Sequence, residues 1–363
     1  MLGSAAPRGR GDSRGPAITQ RAVCEFLRCG QVRRVGLIVL GLIALGGLWI
    51  GWKLGDRPSL DAMRARTLAL AEPRAGEPRV TFLGVSTLLI ADGRSAILID
   101  GFFSRPGLLR VLLGKISPDA HAIEEGLRRA GIERLDAVIV AHSHYDHAID
   151  APEVARRTGA ILVGSESTAN IGRGSAFPAE RMRVVDGTAE MPLGDFRVTL
   201  VPSRHLPHGM AMGEIDEPLV PPARALDYRE GGSFSIFLDH PHGTLLVQAS
   251  AGFVAGALAG RKADAVLLGV GGLSSMDDGY RASYWREVVE AVGARRVIPI
   301  HWDDFTQPLT DPLAPMPRLL DDIDATLAFL AARAAASRIE LSWLPVAKPV
   351  DPFAGVRGPA TAR

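Results

Sequence analysis

Residues 135–147 read Leu135-Asp136-Ala137-Val138-Ile139-Val140-Ala141-His142-Ser143-His144-Tyr145-Asp146-His147, an apolar run that leads straight into four side chains of metal-ligand type. Apart from Asp136, residues 135–141 are all aliphatic, the pattern of a strand covered on both faces. In extended chain, residues i and i+2 point the same way, so His142 and His144 can present two imidazoles to one ion. The chain then turns, and Asp146 and His147 can reach a second position close by. Neutral imidazole and carboxylate suit zinc, iron or manganese. Cys24 and Cys29, the only cysteines, lie far upstream, so no thiolate competes for a metal here and no disulfide staples the fold.

Upstream of this stretch the period is that of strands. Residues 80–83 and 86–90, an Asp92-Gly93 turn and residues 96–99 predict a hairpin at the edge of a sheet, ending in Asp100-Gly101. Ser117-Pro118-Asp119 reads as a helix start, with Ser117 as cap and Pro118 at the first helical position, leading an amphipathic helix to about Ala130. Downstream, a strand over 196–201 is followed by Pro202-Ser203-Arg204-His205. A strand over 244–248 runs into Ala249-Ser250, and one over 296–300 into His301-Trp302-Asp303.

This motif behind a buried strand, downstream of the hairpin that ends in Asp100, resembles the metallo-β-lactamase superfamily over residues 79–345. The resemblance implies an α/β fold, a four-layer αββα sandwich with metals at one rim. It implies a first metal site of His142, His144 and His205 and a second of Asp146, His147 and His301, with Asp100 behind a ligand and orienting it. The implied cofactor is zinc, one or two ions, with manganese or iron as alternatives. The resemblance departs at one place: two-metal members bridge their ions with the Asp of a Gly-Asp pair where this chain has Ala249-Ser250. The bridge is then either missing or supplied by another acid such as Asp303 or Asp239. Pro-Ser-Arg-His followed by Pro-Ile-His-Trp is similar to the branch that holds ascorbate-phosphate lactonase and the phospholipase D acting on N-acylphosphatidylethanolamine.

The chemistry expected of such a site is hydrolysis. A metal-bound water whose pKa falls towards roughly 7 attacks a carbonyl or phosphoryl centre, with Asp146 as the catalytic group that orients the water or takes its proton. An ester, lactone or phosphodiester suits. A mononuclear iron redox enzyme of the same fold and a non-catalytic binding domain stay open as alternatives.

The 363 residues are 47% hydrophobic and 22% charged, enough to bury a large core, which excludes a disordered or collagen-like chain. The formal net charge of +1 is unevenly spread. Residues 1–34 carry seven Arg against Asp12 and Glu25, whereas residues 79–345 carry 26 Lys and Arg against 33 Asp and Glu. An acidic domain argues against a nucleic-acid partner, which selects cationic surfaces. Residues 35–52 are uncharged and rich in Leu, Ile and Gly. At 1.5 Å per residue they extend about 27 Å, close to the hydrocarbon thickness of a bilayer, and Trp49 and Trp52 sit where an aromatic belt lies. No small-x-small site follows, so this reads as an uncleaved transmembrane anchor.

The organisation expected is a disordered basic tail over 1–34, the anchor over 35–52, a juxtamembrane stalk over 53–78, the domain over 79–345 and a disordered tail over 346–363. Four basic residues lie within fifteen positions on each side of the span. Arg33 and Arg34 abut it, which places the tail inside and the domain outside the cytoplasm. The expected substrate is a small molecule or a lipid, and the sequence leaves the oligomeric state open. Among other histidines, His121, His240 and His242 read as structural or exposed. His208 is either a substitute ligand, a substrate contact or a solvated loop residue, and residues 206–232 read as a lid or as a surface insertion.

Overall fold

Alternation along the strands decides which face meets which layer. The computed structural model describes residues 20–356 apart from 71, 73, 208 and 311, with the backbone alone for residues 20–34. The chain divides between Gly55 and Asp56 into two units. The first contains one helix, Gln20–Gly55, whose segment Val35–Gly55 has a mean hydropathy of 2.2, is unburied, and is long and apolar enough to cross a membrane. Helix begins at Gln20, so the expected disordered tail is already helical over residues 20–34. That stretch has no Pro, and extending an existing helix costs far less than nucleating one. The remainder of the expected tail, residues 1–19, lies outside the described residues.

The second unit is built on fourteen strands: β1 (Arg79–Phe82), β2 (Leu88–Ala91), β3 (Ala96–Ile99), β4 (Ala137–Ile139), β5 (Ile161–Gly164), β6 (Met182–Val184), β7 (Ala189–Leu193), β8 (Phe196–Ser203), β9 (Ser233–His240), β10 (Gly243–Gln248), β11 (Ala265–Gly269), β12 (Arg296–Ile300), β13 (Glu340–Leu341) and β14 (Pro349–Val350). One sheet has the order β14-β1-β2-β3-β4-β5-β6 and the other β13-β12-β11-β10-β9-β8-β7. Each is antiparallel at one end and parallel at the other, β3 to β6 and β10 to β13 being the parallel runs. In β3 and β4, Ile97, Ile99, Ala137 and Ile139 face the other sheet and pack with Leu200, Ile236 and Val266. The alternate residues Leu98 and Val138 face outward against Ile123, Leu127 and Val154 of the helices Ala120–Arg129 and Ala151–Thr158. A strand apolar at both parities therefore joins two cores. On the far side, Trp285, Leu327 and Leu330 of the helices Asp278–Trp285 and Ile323–Ser337 cover the second sheet. The layer order is αββα, as the family resemblance implies.

Four local expectations change. The hairpin strand β1 is not an edge, because β14 pairs with it through Val80 and Val350. For the same reason the chain after residue 345 is not a free tail: Val350 and Phe353 are both buried, and residues 357–363 lie outside the described residues. Residues 56–70 are not a detached stalk. Leu60 and Met63 join the inter-sheet core, Leu68 donates to the Trp343 carbonyl, and Arg57 meets Asp304 at 2.7 Å. The helix Ala120–Arg129 is capped by Asp119, which accepts from the N–H groups of His121 and Ala122. Pro118 therefore precedes the cap, and the Asp119 carboxylate takes the role expected of the Ser117 hydroxyl.

Candidate metal centre

β4 ends at the rim, and His142 and His144 follow it, His144 with extended backbone. Asp146 and His147 start the next turn of helix, Tyr145–Ala148. His205 comes from the loop after β8 and His301 immediately after β12. Folding brings all six predicted site residues to one place, in two groups. The ligating atoms of His142, His144 and His205 lie within 4.8 Å of one another, and so do those of Asp146, His147 and His301. The ring centroids of His142 and His147 are 3.8 Å apart, so the two groups are contiguous.

Each ring is held by its surroundings. The buried Asp100 carboxylate accepts from Nδ1 of His147 at 2.8 Å, from the Ala141 N–H at 2.7 Å and from the Ser86 hydroxyl. This is the orienting role expected of Asp100, and it turns Nε2 of His147 towards Asp146. Nδ1 of His205 meets the Leu206 carbonyl at 2.9 Å and Nε2 of His144 the Ala211 carbonyl at 3.2 Å. Partners of this kind set ring tautomer and orientation in metal sites. His301 lies 3.3 Å from Asp146 Oδ2. Asp100, His301 and Val85 all adopt left-handed backbone, with φ of 59°, 60° and 52°. That conformation is unfavourable for a β-branched residue such as Val85. It is held there because the Val85 N–H donates to Asp303 Oδ1 at 2.7 Å and the Val85 carbonyl accepts from the His301 N–H at 2.7 Å.

The electrostatics favour a cation. Burial holds the His142 imidazole well below its ordinary pKa, and the neighbouring His147 and His205 push the same way, so the ring is neutral. Burial would raise the Asp146 carboxyl, but His147 and His301 outweigh it and hold the group below the usual carboxylate range. Burial likewise opposes charging His147, yet Asp146 and Asp100 raise its pKa. Both ring nitrogens of His142, Nε2 of His147 and Nδ1 of His301 are buried without a hydrogen-bond partner. Buried polar atoms are rarely left so in native folds. Such nitrogens on three neighbouring rings, with Nε2 of His147 facing the ionised Asp146 carboxylate, fit a divalent metal.

Neither acid named for the missing bridge is free to supply it. Asp303 is fully buried in an ion pair with Arg105 and also accepts the Val85 N–H. Asp239 sits near the other end of β9, bonded to Thr244 at 2.7 Å and to Arg197. Ser250 uses its hydroxyl to accept from the Leu206 N–H at 3.1 Å, so it braces the His205 loop. Asp146 is the only carboxylate grouped with either histidine cluster among the described residues.

Three contributors had no signal in the sequence. Glu230 Oε1 accepts from the His205 N–H at 3.0 Å and from the Ser233 hydroxyl at 2.8 Å, while its carbonyl accepts the Ser143 N–H. Arg105 neutralises Asp303. Gly271 faces His301, and a Cβ there would lie 2.7 Å from its Nδ1. Residues 206–232 carry one 3-10 turn, Ala225–Asp227, and are anchored through Ile215, Ala223 and Tyr228 in the outer core. His208 lies outside the described residues. His121 is exposed. His240 is buried with Nε2 3.5 Å from Asp92, its Nδ1 accepts from the His242 N–H at 3.3 Å, and its ligating atoms group with those of Asp92 and Asp195.

A two-sheet αββα domain with a His-x-His-x-Asp-His loop at its rim defines a class of metal-binding protein. The chain belongs to the metallo-beta-lactamase superfamily, whose family model matches residues 80–295. It is similar to a UPF0173 metal-dependent hydrolase of Heliobacterium modesticaldum, 28% identical over 120 residues that make up 33% of this chain and 43% of that protein. A UPF0173 metal-dependent hydrolase of Anaeromyxobacter sp. (strain K) is 28% identical over 169 residues, 41% and 56% of the two chains. The chain thus spans about half the length of these curated relatives. Among solved structures, Igni18, a metallo hydrolase from Ignicoccus hospitalis, covers 75% of this chain and 97% of its own at 16% identity and a TM-score of 0.43.

Proposed function

We propose that this chain is a membrane-anchored, metal-dependent hydrolase of an ester, lactone or phosphodiester, with its domain outside the cytoplasm and zinc as its metal. The observation that carries the reading is the pair of contiguous ligand groups, His142-His144-His205 and Asp146-His147-His301, in which the ring nitrogens of His142 and Nε2 of His147 are buried without a hydrogen-bond partner. His142, His144 and His205 hold the first ion, and Asp146, His147 and His301 make the weaker second position. A bound divalent metal supplies Lewis acidity and acidifies water. Asp146, charged and flanked by His147 and His301, orients the attacking water towards the scissile centre. Asp100 keeps His147 in the tautomer that leaves Nε2 facing Asp146. The Ala211 carbonyl, from the loop that follows His205, meets Nε2 of His144 and fixes that ring. Residues 35–55 serve as the anchor.

The test is elemental analysis of the detergent-purified full chain, together with a screen of ester, lactone and phosphodiester substrates for wild type and His142→Ala. One to two zinc ions per chain and turnover lost in the variant are expected. Iron with oxygen consumption, or metal-free protein, would overturn the reading.

A further inference from the structure

The helix Leu108–Leu113, sequence Leu-Leu-Arg-Val-Leu-Leu, buries none of its residues. Leu109, Leu112 and Leu113 follow the spacing of one helical face and are 74%, 66% and 84% exposed. The antiparallel bridge between Ile116 and Ala223 sets this segment beside the insertion, where Val220 and Leu226 are also exposed. Single exposed leucines are ordinary, but three on one face of a helix are not scattered. Residues 106–118 carry Arg110 and Lys115, both exposed, and no acid, while the adjoining insertion exposes Glu214, Asp216, Glu217 and Asp227 beside Arg224 and Arg229. The insertion beside them is the segment whose Ala211 and Glu230 carbonyls meet His144 and Ser143 at the metal centre.

We propose that the Leu109-Leu112-Leu113 face, with Leu226 and Val220, seats on an anionic lipid surface, so that the metal centre takes its substrate from the bilayer. Short helices with aliphatic side chains on one face and basic residues beside them lie in the headgroup region, apolar face down. Arg110 and Lys115 then meet lipid phosphates or carboxylates. The apolar segment Val35–Gly55 makes a bilayer the available occupant, and to that extent the inference rests on the anchoring proposed above. It makes the substrate class an amphiphile whose scissile group lies near the headgroups.

The test uses the full chain with Cys24→Ser and Cys29→Ser, bearing a single cysteine labelled with an environment-sensitive fluorophore and reconstituted into phosphatidylcholine and phosphatidylglycerol vesicles. Labels are placed by Leu112→Cys on the face, Leu45→Cys in the apolar helix and Glu190→Cys as an exposed reference, and spin-labelled lipid serves as quencher. Blue-shifted, lipid-quenched emission is expected at 112 and 45 but not at 190. Adding Arg110→Glu and Lys115→Glu should abolish quenching at 112. Emission at 112 matching that at 190 would overturn the lipid surface while quenching at 45 upheld the anchor. A blue shift at 112 without lipid quenching would assign the face to a second copy of the chain and also overturn it. An unquenched label at 45 would sink the anchor alone, leaving the face to be decided at 112.

Discussion

Nδ1 of His147 donates to Asp100 Oδ2 across 2.8 Å, both groups fully buried, and this contact, with the Ser86 hydroxyl also 2.8 Å from Nδ1, turns Nε2 of the ring to the second metal position. Loss of such a partner typically lowers metal affinity about 10- to 100-fold. Asp100→Asn should therefore weaken one metal position and spare the other, measured by equilibrium dialysis with elemental analysis. Equal loss from both would show that the two groups bind as one unit.

The two-site division makes a second asymmetry. His205→Ala should remove the tightly held ion, whereas His301→Ala or Gly271→Ala, whose new Cβ displaces the His301 ring, should leave about one metal per chain. Ser250→Asp, which adds a carboxylate beside His205, should raise the content towards two. Wild-type protein that already holds two tight ions would contradict the missing bridge.

Glu230 can be separated from a merely structural residue by rescue. Glu230→Ala removes the acceptor for the His205 N–H and should weaken the first site, while Glu230→Gln keeps an oxygen in place and should restore most of the affinity. Metal titration of the two variants checks this, and identical losses would sink it.

Removing one partner of the fully buried Arg105–Asp303 pair should cost about 3–5 kcal/mol, because the survivor is left as an uncompensated charge. Urea unfolding of Arg105→Met, Asp303→Asn and the double variant should show strong non-additivity. Truncation after residue 345 should also destabilise, since Phe353 is 1% exposed and loss of one such aromatic costs about 3–5 kcal/mol.

Burial raises the Asp150 carboxyl to about 6, against the hydrogen bonds from Ser104 and Phe103 that pull it down. Its folded pKa lies above the unfolded value, so the native state holds the extra proton between them. The stability it contributes is present below pH ~4 and is lost as pH rises through about 6, by about 1.4 kcal/mol for each pH unit between the two values. Unfolding free energies of wild type and Asp150→Asn at pH 4.5 and 7 should diverge in that direction, and parallel pH profiles would exclude it.

What the sequence alone determined is local. Two histidines at i and i+2 after a strand must share a side, and aliphatic residues at both parities require cover on both faces. An uncharged run of eighteen residues sets a helix of membrane length. The αββα layers and the six clustered side chains were legible for these reasons and through the family resemblance. Closure of the chain decided the rest. Asp303 and Asp239 read alike as available carboxylates until packing gives each a partner, Arg105 for the first and Thr244 with Arg197 for the second, and Ser250 gains its partner, the Leu206 amide, in the same way. Nothing near Glu230 or Gly271 in sequence points to His205 or His301. The C-terminal segment looked like a tail because a two-residue strand has no periodicity to read, and its partner, β1, lies at the opposite end of the domain's sequence. Periodicity reports only what neighbours along the chain share, whereas the partner that satisfies a buried polar group is chosen across the fold.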